Sequence, residues 1–215
     1  MPTLYDYILS DDCYKVRLLL SMLSVGYETR KVDVHPGREN CRPAFLSLNP
    51  LGRIPVLVDG DLVLRGPSSI LTYIALQYDR ARCFLPEGAA ALAQVEMWLS
   101  FAETELSAIS DIRANELFRL APATDIAVLR RRADRAMEVL EDHLAEGEIV
   151  GRRWVAADRP TIADLALFPP VALSAEAGLP IEPYPSIWRW LHRVKNLPGF
   201  VVMPGVLPLL PKVAV

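Results

Sequence analysis

Hydrophobic residues recur with two different periods along this chain, and the change of period divides it into two parts. In residues 1–79, short alternating runs typical of strands are separated by helix-spaced segments. Beyond residue 88 the spacing is that of helices alone. Pro86 and Gly88 lie between the two parts, so residues 80–88 are interpreted as a linker. We therefore expect an α/β domain over residues 1–79 and an all-helical domain over residues 89–215.

The first part has the element order of a thioredoxin-like domain. Thr3–Tyr7 and Glu28–Val34 are predicted strands with a helix between them, and residues 44–48 predict a short second helix. Asp59-Gly60 separates two apolar runs, which predicts a β-hairpin with a type I′ turn. A third helix follows the hairpin. The order is βαβ, a short helix, a hairpin and a helix.

One helix of the second part is predicted to be buried. Residues 162–168 are apolar on nearly every side, which is not the pattern of a surface helix. Thr161 stands three residues before Asp164, the spacing of a capping box with Asp in place of Glu. Pro169 and Pro170 are expected to end or kink this helix.

Composition excludes several classes of function. The 215 residues are 52% hydrophobic and 23% charged with a formal net charge of −3, which is typical of a globular protein and gives no basic surface for nucleic acid. No window of about 20 apolar residues predicts a membrane span. The three cysteines are too few and too scattered for a disulfide framework. A cytoplasmic protein is expected.

Several stretches resemble the cytosolic glutathione S-transferase family. Residues 4–17 resemble the strand, active-site loop and first helix of bacterial members related to the Ser-type classes. Residues 49–57, Asn-Pro-Leu-Gly-Arg-Ile-Pro-Val-Leu, are similar to the family's stretch with a cis-proline, and residues 159–167 to its buried capping-box helix. Residues 184–199 also match. The resemblance covers almost the whole chain.

The resemblance implies a fold, a co-substrate and an assembly. The fold is a thioredoxin-like N-terminal domain followed by an all-α helical bundle. The co-substrate is glutathione, without a metal, and the second substrate is a small hydrophobic electrophile, in detoxification or a related reduction or isomerisation. The family is usually a symmetric homodimer.

Two residues compete for the catalytic role. The resemblance places Ser10 at the family's catalytic serine, which would donate a hydrogen bond to the glutathione thiolate. Taken alone, its position favours a cap of the first helix. The runner-up is Cys13, because in other classes a cysteine near this helix start forms a mixed disulfide with glutathione. Asp11 and Asp12 would oppose a thiolate there.

The glutathione-binding residues are carried over with one departure from the family pattern. A cis peptide between Ile54 and Pro55 would present a free backbone edge to the tripeptide, and Arg53 lies near the expected glycyl carboxylate. The family usually has Glu-Ser before the third helix, whereas this chain has Gly66-Pro67. The resemblance implies three residues at that helix start, which are Pro67, Ser68 and Ser69. Their remaining N–H groups would still face an anion.

The second-substrate pocket is expected between the domains, over the fourth helix. Its predicted wall is formed by Trp98, Phe101, Ile109, Arg113 and Phe118, although most of these also fit a core role. Leu207, Leu209 and Leu210 of the proline-rich tail are candidates for a lid. Three hypotheses stay open: a Ser10-dependent transferase, a binding protein with weakened glutathione affinity, and a Cys13-dependent thiol oxidoreductase.

Overall fold

The N-terminal part is built on a small mixed sheet. The computed structural model describes residues 1–120 and 124–207. Its sheet has the order β2-β1-β3-β4, in which β1 pairs in parallel with β2 and antiparallel with β3. The strands are Thr3–Asp6 (β1), Glu28–Lys31 (β2), Val56–Asp59 (β3) and Leu62–Arg65 (β4). The predicted strands are confirmed, with β2 shorter than expected.

Three helices cover the two faces of this sheet. They are Asp11–Met22 (α1), Pro43–Leu46 (α2) and Pro67–Gln77 (α3). Leu4 and Leu57 share the main core with α1 and α3, whereas Val32 and Val56 pack with Phe45 of α2 in a second, smaller core. Because neighbouring residues of a strand point to opposite faces, the alternation along β1 and β3 places one core on each side of the sheet.

The β3–β4 hairpin differs from the predicted turn type. Asp59 pairs with Leu62, so Gly60 and Asp61 are the two central residues. Gly60 has φ +59°, and Asp61 is not among the residues with positive φ. A positive φ at the first central residue alone is typical of a type II′ turn, which needs glycine there. The hairpin prediction is confirmed and the I′ assignment is wrong.

The second part is helical. Its helices are Ala89–Thr104 (α4), Ser107–Phe118 (α5), Ile126–Ile149 (α6), Ile162–Ala172 (α7) and Pro185–Lys195 (α8). With the sheet described above, they confirm the predicted fold class. No helix within residues 1–120 and 124–207 is long and apolar enough to cross a bilayer.

Helix α7 lies at the centre of the molecule. The predicted capping box is present, and the Asp164 carboxylate accepts from the N–H groups of Thr161 and Val155 at 2.9 and 3.1 Å and from the Trp190 indole at 3.0 Å. Pro169 and Pro170 lie inside the helix, which continues to Ala172, so the expectation that they end it is wrong.

The two parts share one core. Linker residues Phe84 and Leu85 are buried, and the Phe84 carbonyl accepts from the Ile162 N–H at 2.8 Å. Helix α1 packs against α7. On the same helix, the Ser21 hydroxyl donates to the Gly199 carbonyl at 2.7 Å. Residues of the C-terminal segment thus hold an N-terminal helix in place.

Candidate functional site

The loop from β1 to α1 carries Ser10. This residue is the N-cap of α1, with φ −79° and ψ 121°, and its Oγ accepts from the Cys13 N–H at 3.2 Å. The predicted capping role is therefore confirmed. Accepting this bond uses an oxygen lone pair and leaves the hydroxyl proton available for donation. Ser10 can cap α1 and donate to an anion at the same time.

Cys13 lies in an environment that disfavours a thiolate. Its side chain is 0% exposed. Burial, followed by the negative charge of Asp6, raises the pKa of the Cys13 thiol well above its ordinary value, and the opposing effects of neighbouring polar groups and of the Arg17 charge are smaller. Because the thiolate is the nucleophile, a buried thiol with a raised pKa is inert at neutral pH.

The acidic residues at the start of α1 have partners. The Lys15 ammonium lies 2.6 Å from an Asp12 carboxylate oxygen, with the Lys15 side chain buried. The Ser110 hydroxyl on α5 donates to the Asp11 carboxylate. Paired carboxylates oppose a neighbouring anion less than free ones do. The repulsion expected from Asp11 and Asp12 is thereby reduced.

Arg113 fixes the loop from the helical side. Its guanidinium donates to the Leu9 carbonyl at 2.8 Å and to the Glu176 carboxylate at 2.6 Å, and the residue is 4% exposed. Arg113 thus joins the residue before Ser10 to the helical part. The sequence predicts Arg113 on the wall of the second-substrate pocket. In the structure its buried guanidinium is paired with the Glu176 carboxylate and the Leu9 carbonyl, so it does not present its charge to a pocket.

The Ile54-Pro55 segment presents free backbone groups. The peptide bond is cis, as predicted. Within the described ranges, the Ile54 N–H and C=O have no backbone partner. Arg53 is exposed, and its carbonyl is fixed by the Asn49 side-chain amide at 2.6 Å. An extended ligand can therefore pair with the backbone at Ile54 as an added strand.

The start of α3 holds a carboxylate that sequence analysis missed. Pro67 occupies the first turn, with Gly66 as the cap at φ +85°, as expected. The Ser68 N–H donates to the Glu103 carboxylate of α4 at 3.2 Å, and Ser69 is exposed. Glu103 lies 35 positions along the chain from Ser68, so no local motif indicates it. A negative charge stands near the position where Gly66 replaces the usual glutamate.

An apolar cavity of about 380 Å³ lies beside the β1–α1 loop. Its lining consists of Asp6, Tyr7, Ile8, Lys31, Val32 and Asp33. The Tyr7 hydroxyl donates to the His35 carbonyl at 3.3 Å, and the Phe118 ring of α5 lies 6.1 Å from the Tyr7 ring and 5.1 Å from that of His35.

The predicted wall of the second-substrate pocket is mostly core. Trp98 and Ile109 are 4% and 0% exposed, so the expectation that they face a pocket is corrected. Phe101 is half-buried against the Trp98 ring at 5.2 Å. Ile109, Arg113 and Phe118 belong to α5 rather than to the fourth helix. Only Phe118 packs on residues next to the cavity.

The fold is a thioredoxin-like sheet joined to a helical bundle, with Ser10 as the N-cap of α1 and a free backbone edge beside a cis-proline. Comparison with known families makes this specific. Residues 2–76 match the model described as "Glutathione S-transferase, N-terminal domain", and residues 90–193 match "Glutathione S-transferase, C-terminal domain". The chain belongs to the glutathione S-transferase family.

Individual relatives agree with the family assignment. The chain is 30% identical to glutathione S-transferase 3 of Zea mays, over 97% of this chain and 95% of the relative. It is 27% identical to a probable maleylacetoacetate isomerase of Vibrio cholerae, over 92% of each. A glutathione transferase homologue from Lodderomyces elongisporus, solved with two glutathione molecules per subunit, superposes with a TM-score of 0.82 at 28% identity, over 92% of this chain and 94% of that one.

Proposed function

We propose that this glutathione S-transferase activates glutathione with the hydroxyl of Ser10. The observation that carries the proposal is the Ser10 Oγ, which accepts from the Cys13 N–H and keeps its proton for a thiolate. The N-terminus of α1 carries a partial positive charge, which further stabilises a thiolate bound beside it. Lowering a thiol pKa by about two units needs about 2.7 kcal/mol. One charge-assisted hydrogen bond stabilises by about 1.5–3 kcal/mol, so the two effects together suffice.

The tripeptide is assigned to the groups around this loop. Its backbone pairs with the free N–H and C=O of Ile54, beside Pro55, and Arg53 faces its glycyl carboxylate. At the other end, beside Pro67, the Ser69 N–H receives the γ-glutamyl carboxylate, and the Ser68 N–H stays with Glu103. In this arrangement residues 1–79 hold most of glutathione, and the helical part supports the loop, flanks the second pocket and contributes Glu103.

Glu103 takes over the role of the missing glutamate in this proposal. Its carboxylate already lies at the start of α3, where it accepts from the Ser68 N–H at 3.2 Å. An α-amino acid end brings an ammonium as well as a carboxylate, and Glu103 complements the ammonium. Glutathione then lies between a helix terminus that attracts its carboxylate and a side chain that attracts its ammonium.

The second substrate is assigned to the cavity beside the loop. Ile8 and Val32 give it apolar walls, and Phe118 flanks it from α5. Burial, aided by Asp33, raises the pKa of Tyr7, so its hydroxyl stays protonated at neutral pH. A small hydrophobic electrophile fits this lining, for conjugation in detoxification or, as the name of the Vibrio relative suggests, isomerisation. We place this chemistry in the cytoplasm.

We further propose a homodimer formed through α3 and α4. Large apolar side chains are exposed on both helices: Leu76 at 54% on α3 and Met97 at 50% on α4. Leu62 of β4, at 40%, adds to this surface. A contiguous apolar patch marks an interaction face, and the proposal is that Leu76 and Met97 belong to one such patch.

Two alternatives are separated by one experiment. In the first alternative, loss of the Glu-Ser pair weakens glutathione binding and the protein acts only as a binding protein. In the second, a reactive Cys13 makes it a thiol oxidoreductase.

We would titrate wild type, Ser10→Ala, Ser10→Thr and Cys13→Ala with glutathione by calorimetry and follow thiolate absorbance against pH. We expect Ser10→Ala to raise the bound thiol pKa by about one to two units, with Ser10→Thr and Cys13→Ala close to wild type.

The same titrations can also contradict the proposed role of Ser10. Absence of any glutathione binding to wild type supports the binding-protein alternative. A mixed disulfide that disappears only in Cys13→Ala supports the oxidoreductase. Unchanged thiolate absorbance in Ser10→Ala, with normal binding, would remove Ser10 from the mechanism.

A further inference from the structure

The outer edge of the sheet has free main-chain groups. β2 is the end strand, and the N–H groups of Glu28 and Val32 donate inward to the Pro2 and Asp6 carbonyls, both at 2.9 Å. Because a strand alternates with a period of two, Thr29 and Lys31 direct their N–H and C=O groups outward. Over residues 1–120 and 124–207, neither has a partner outside the β1–β2 ladder. The edge is open for pairing.

A second cavity lies next to this edge, between β2 and α2. Its volume is about 410 Å³. Phe45 and Val32, 6% and 5% exposed, form a buried apolar floor, and the Tyr5 ring meets Phe45 edge to face at 6.1 Å. The full lining is Tyr5, Arg30, Lys31, Val32, Glu39, Arg42, Ala44, Phe45 and Leu48. None of these residues belongs to the proposed glutathione site, and Lys31 and Val32 also line the cavity assigned to the second substrate.

The rim of this cavity is positively charged. Arg30 and Arg42 bring cationic side chains to it, together with a single carboxylate, that of Glu39, whereas Lys31 follows Arg30 in the strand and directs its side chain to the opposite face. Glu39 already accepts from the Asp33 N–H at 2.8 Å. Its contact with Arg42 is long, at 3.9 Å, and the Arg42 side chain is 63% exposed. The cationic groups therefore remain available to an acidic partner.

The strand register connects the edge with the cavity. Arg30 stands opposite Tyr5 in the β1–β2 ladder, so both side chains point to the face that α2 covers. A strand added outside β2 would send every second side chain to that same face. One such side chain would meet the cavity, and those two positions away would meet the cationic rim.

We propose that β2 and the adjoining cavity form a docking site for an extended acidic peptide of a partner protein. The peptide main chain pairs with the outward groups of Thr29 and Lys31. A central apolar side chain enters the cavity above Phe45, and glutamates two residues to either side face Arg30 and Arg42. Main-chain pairing supplies affinity and the alternate side chains supply specificity, as in other cases of strand addition.

A peptide and a small organic anion make different demands on this site. An anion of low molecular mass needs only the cavity and the cations, whereas a peptide also needs the strand edge. Proline is tolerated at an edge position whose N–H points to solvent, and it removes that donor. Thr29→Pro thus tests the edge, and Thr29→Val is its matched control because it keeps the N–H.

The probe is the acetylated, amidated peptide Thr-Glu-Val-Leu-Val-Glu-Thr carrying a fluorescent label, followed by fluorescence anisotropy. We expect saturable binding to wild type and Thr29→Val, and a loss of about tenfold or more in Thr29→Pro and in the double variant Arg30→Gln, Arg42→Gln. A peptide N-methylated at both valines tests the pairing without altering the protein. Glutathione binding, measured in parallel, should stay within about twofold in every variant and shows that each is folded.

Three results would overturn the proposal. The first is no anisotropy change with wild type at about 1 mM protein. The second is equal binding by Thr29→Pro and Thr29→Val. The third is binding of the dye anilinonaphthalene sulfonate, dependent on Arg30 and Arg42, without binding of the peptide, which would indicate a small-anion site.

Discussion

At the scale of single residues, Ser10 shows why a structural and a chemical role need not exclude each other. Its oxygen accepts the Cys13 N–H, which stabilises the start of α1 by about 1 kcal/mol in comparable caps. Its proton is not used by that bond. The cap fixes the position of the oxygen, so folding and the proposed thiol activation draw on the same side chain.

Glu103 gives a residue-scale prediction. We expect Glu103→Gln to weaken glutathione binding about fivefold, because an exposed charge pair with the ligand's ammonium is modest in water. Turnover at saturating glutathione should hardly change. Calorimetry with Glu96→Gln, an exposed glutamate on the same helix, provides the control. Tighter binding by Glu103→Gln would mean that Glu103 competes with the ligand's carboxylate and would contradict the assigned role.

At the scale of elements, the buried start of α7 depends on one carboxylate. Asp164 is 0% exposed and accepts from two N–H groups and the Trp190 indole. Asp164→Ala leaves these donors without a partner in the core, so we expect a loss of about 3 kcal/mol in the free energy of unfolding. Urea denaturation measures it, and Asp158→Ala is a control on the preceding loop. A loss below about 0.5 kcal/mol would show that α7 does not need the box.

Most elements were predictable because their signals are local. The hairpin, the capping box and the helical stripes each lie within about ten residues of sequence. The turn type and the continuation of α7 past Pro169 depend on register and on surrounding contacts instead. At the candidate site, too, local sequence signals could be predicted and contacts between distant residues could not. Ser10 and Pro55 lie in motifs, whereas Glu103 and the role of Arg113 arise from contacts between distant helices and loops.

At the scale of the whole molecule, Arg113 links the β1–α1 loop to the helical part. We expect Arg113→Met to lower kcat/KM about tenfold by freeing Leu9, and to lower the free energy of unfolding by about 1–3 kcal/mol by leaving Glu176 unpaired. Arg119→Met, which removes an exposed arginine of α5's C-cap, is the control. Steady-state kinetics and urea denaturation of both variants measure these changes. A kcat/KM of Arg113→Met equal to that of wild type would contradict a role of Arg113 in positioning the loop.

The proposed dimer is tested at the same scale. We expect wild type to sediment as a dimer and Met97→Glu, combined with Leu76→Glu, to sediment as a monomer, since a charge on each helix opposes burial of that face. Trp188→Glu, at an exposed aromatic of α8, should leave the dimer intact. A monomeric wild type at micromolar concentration contradicts the proposal.

Helix α1 is anchored by residues 199–206, and this has a consequence for biosynthesis. Tyr14 and Ser21 donate to the carbonyls of Val201 and Gly199, and buried Met203 and Val206 belong to the same core. A ribosome must therefore synthesise the chain as far as about residue 206 before the helix that carries Ser10 at its tip can acquire its last neighbours. The first domain emerges long before this support does, and apolar surface exposed in that interval is prone to aggregation.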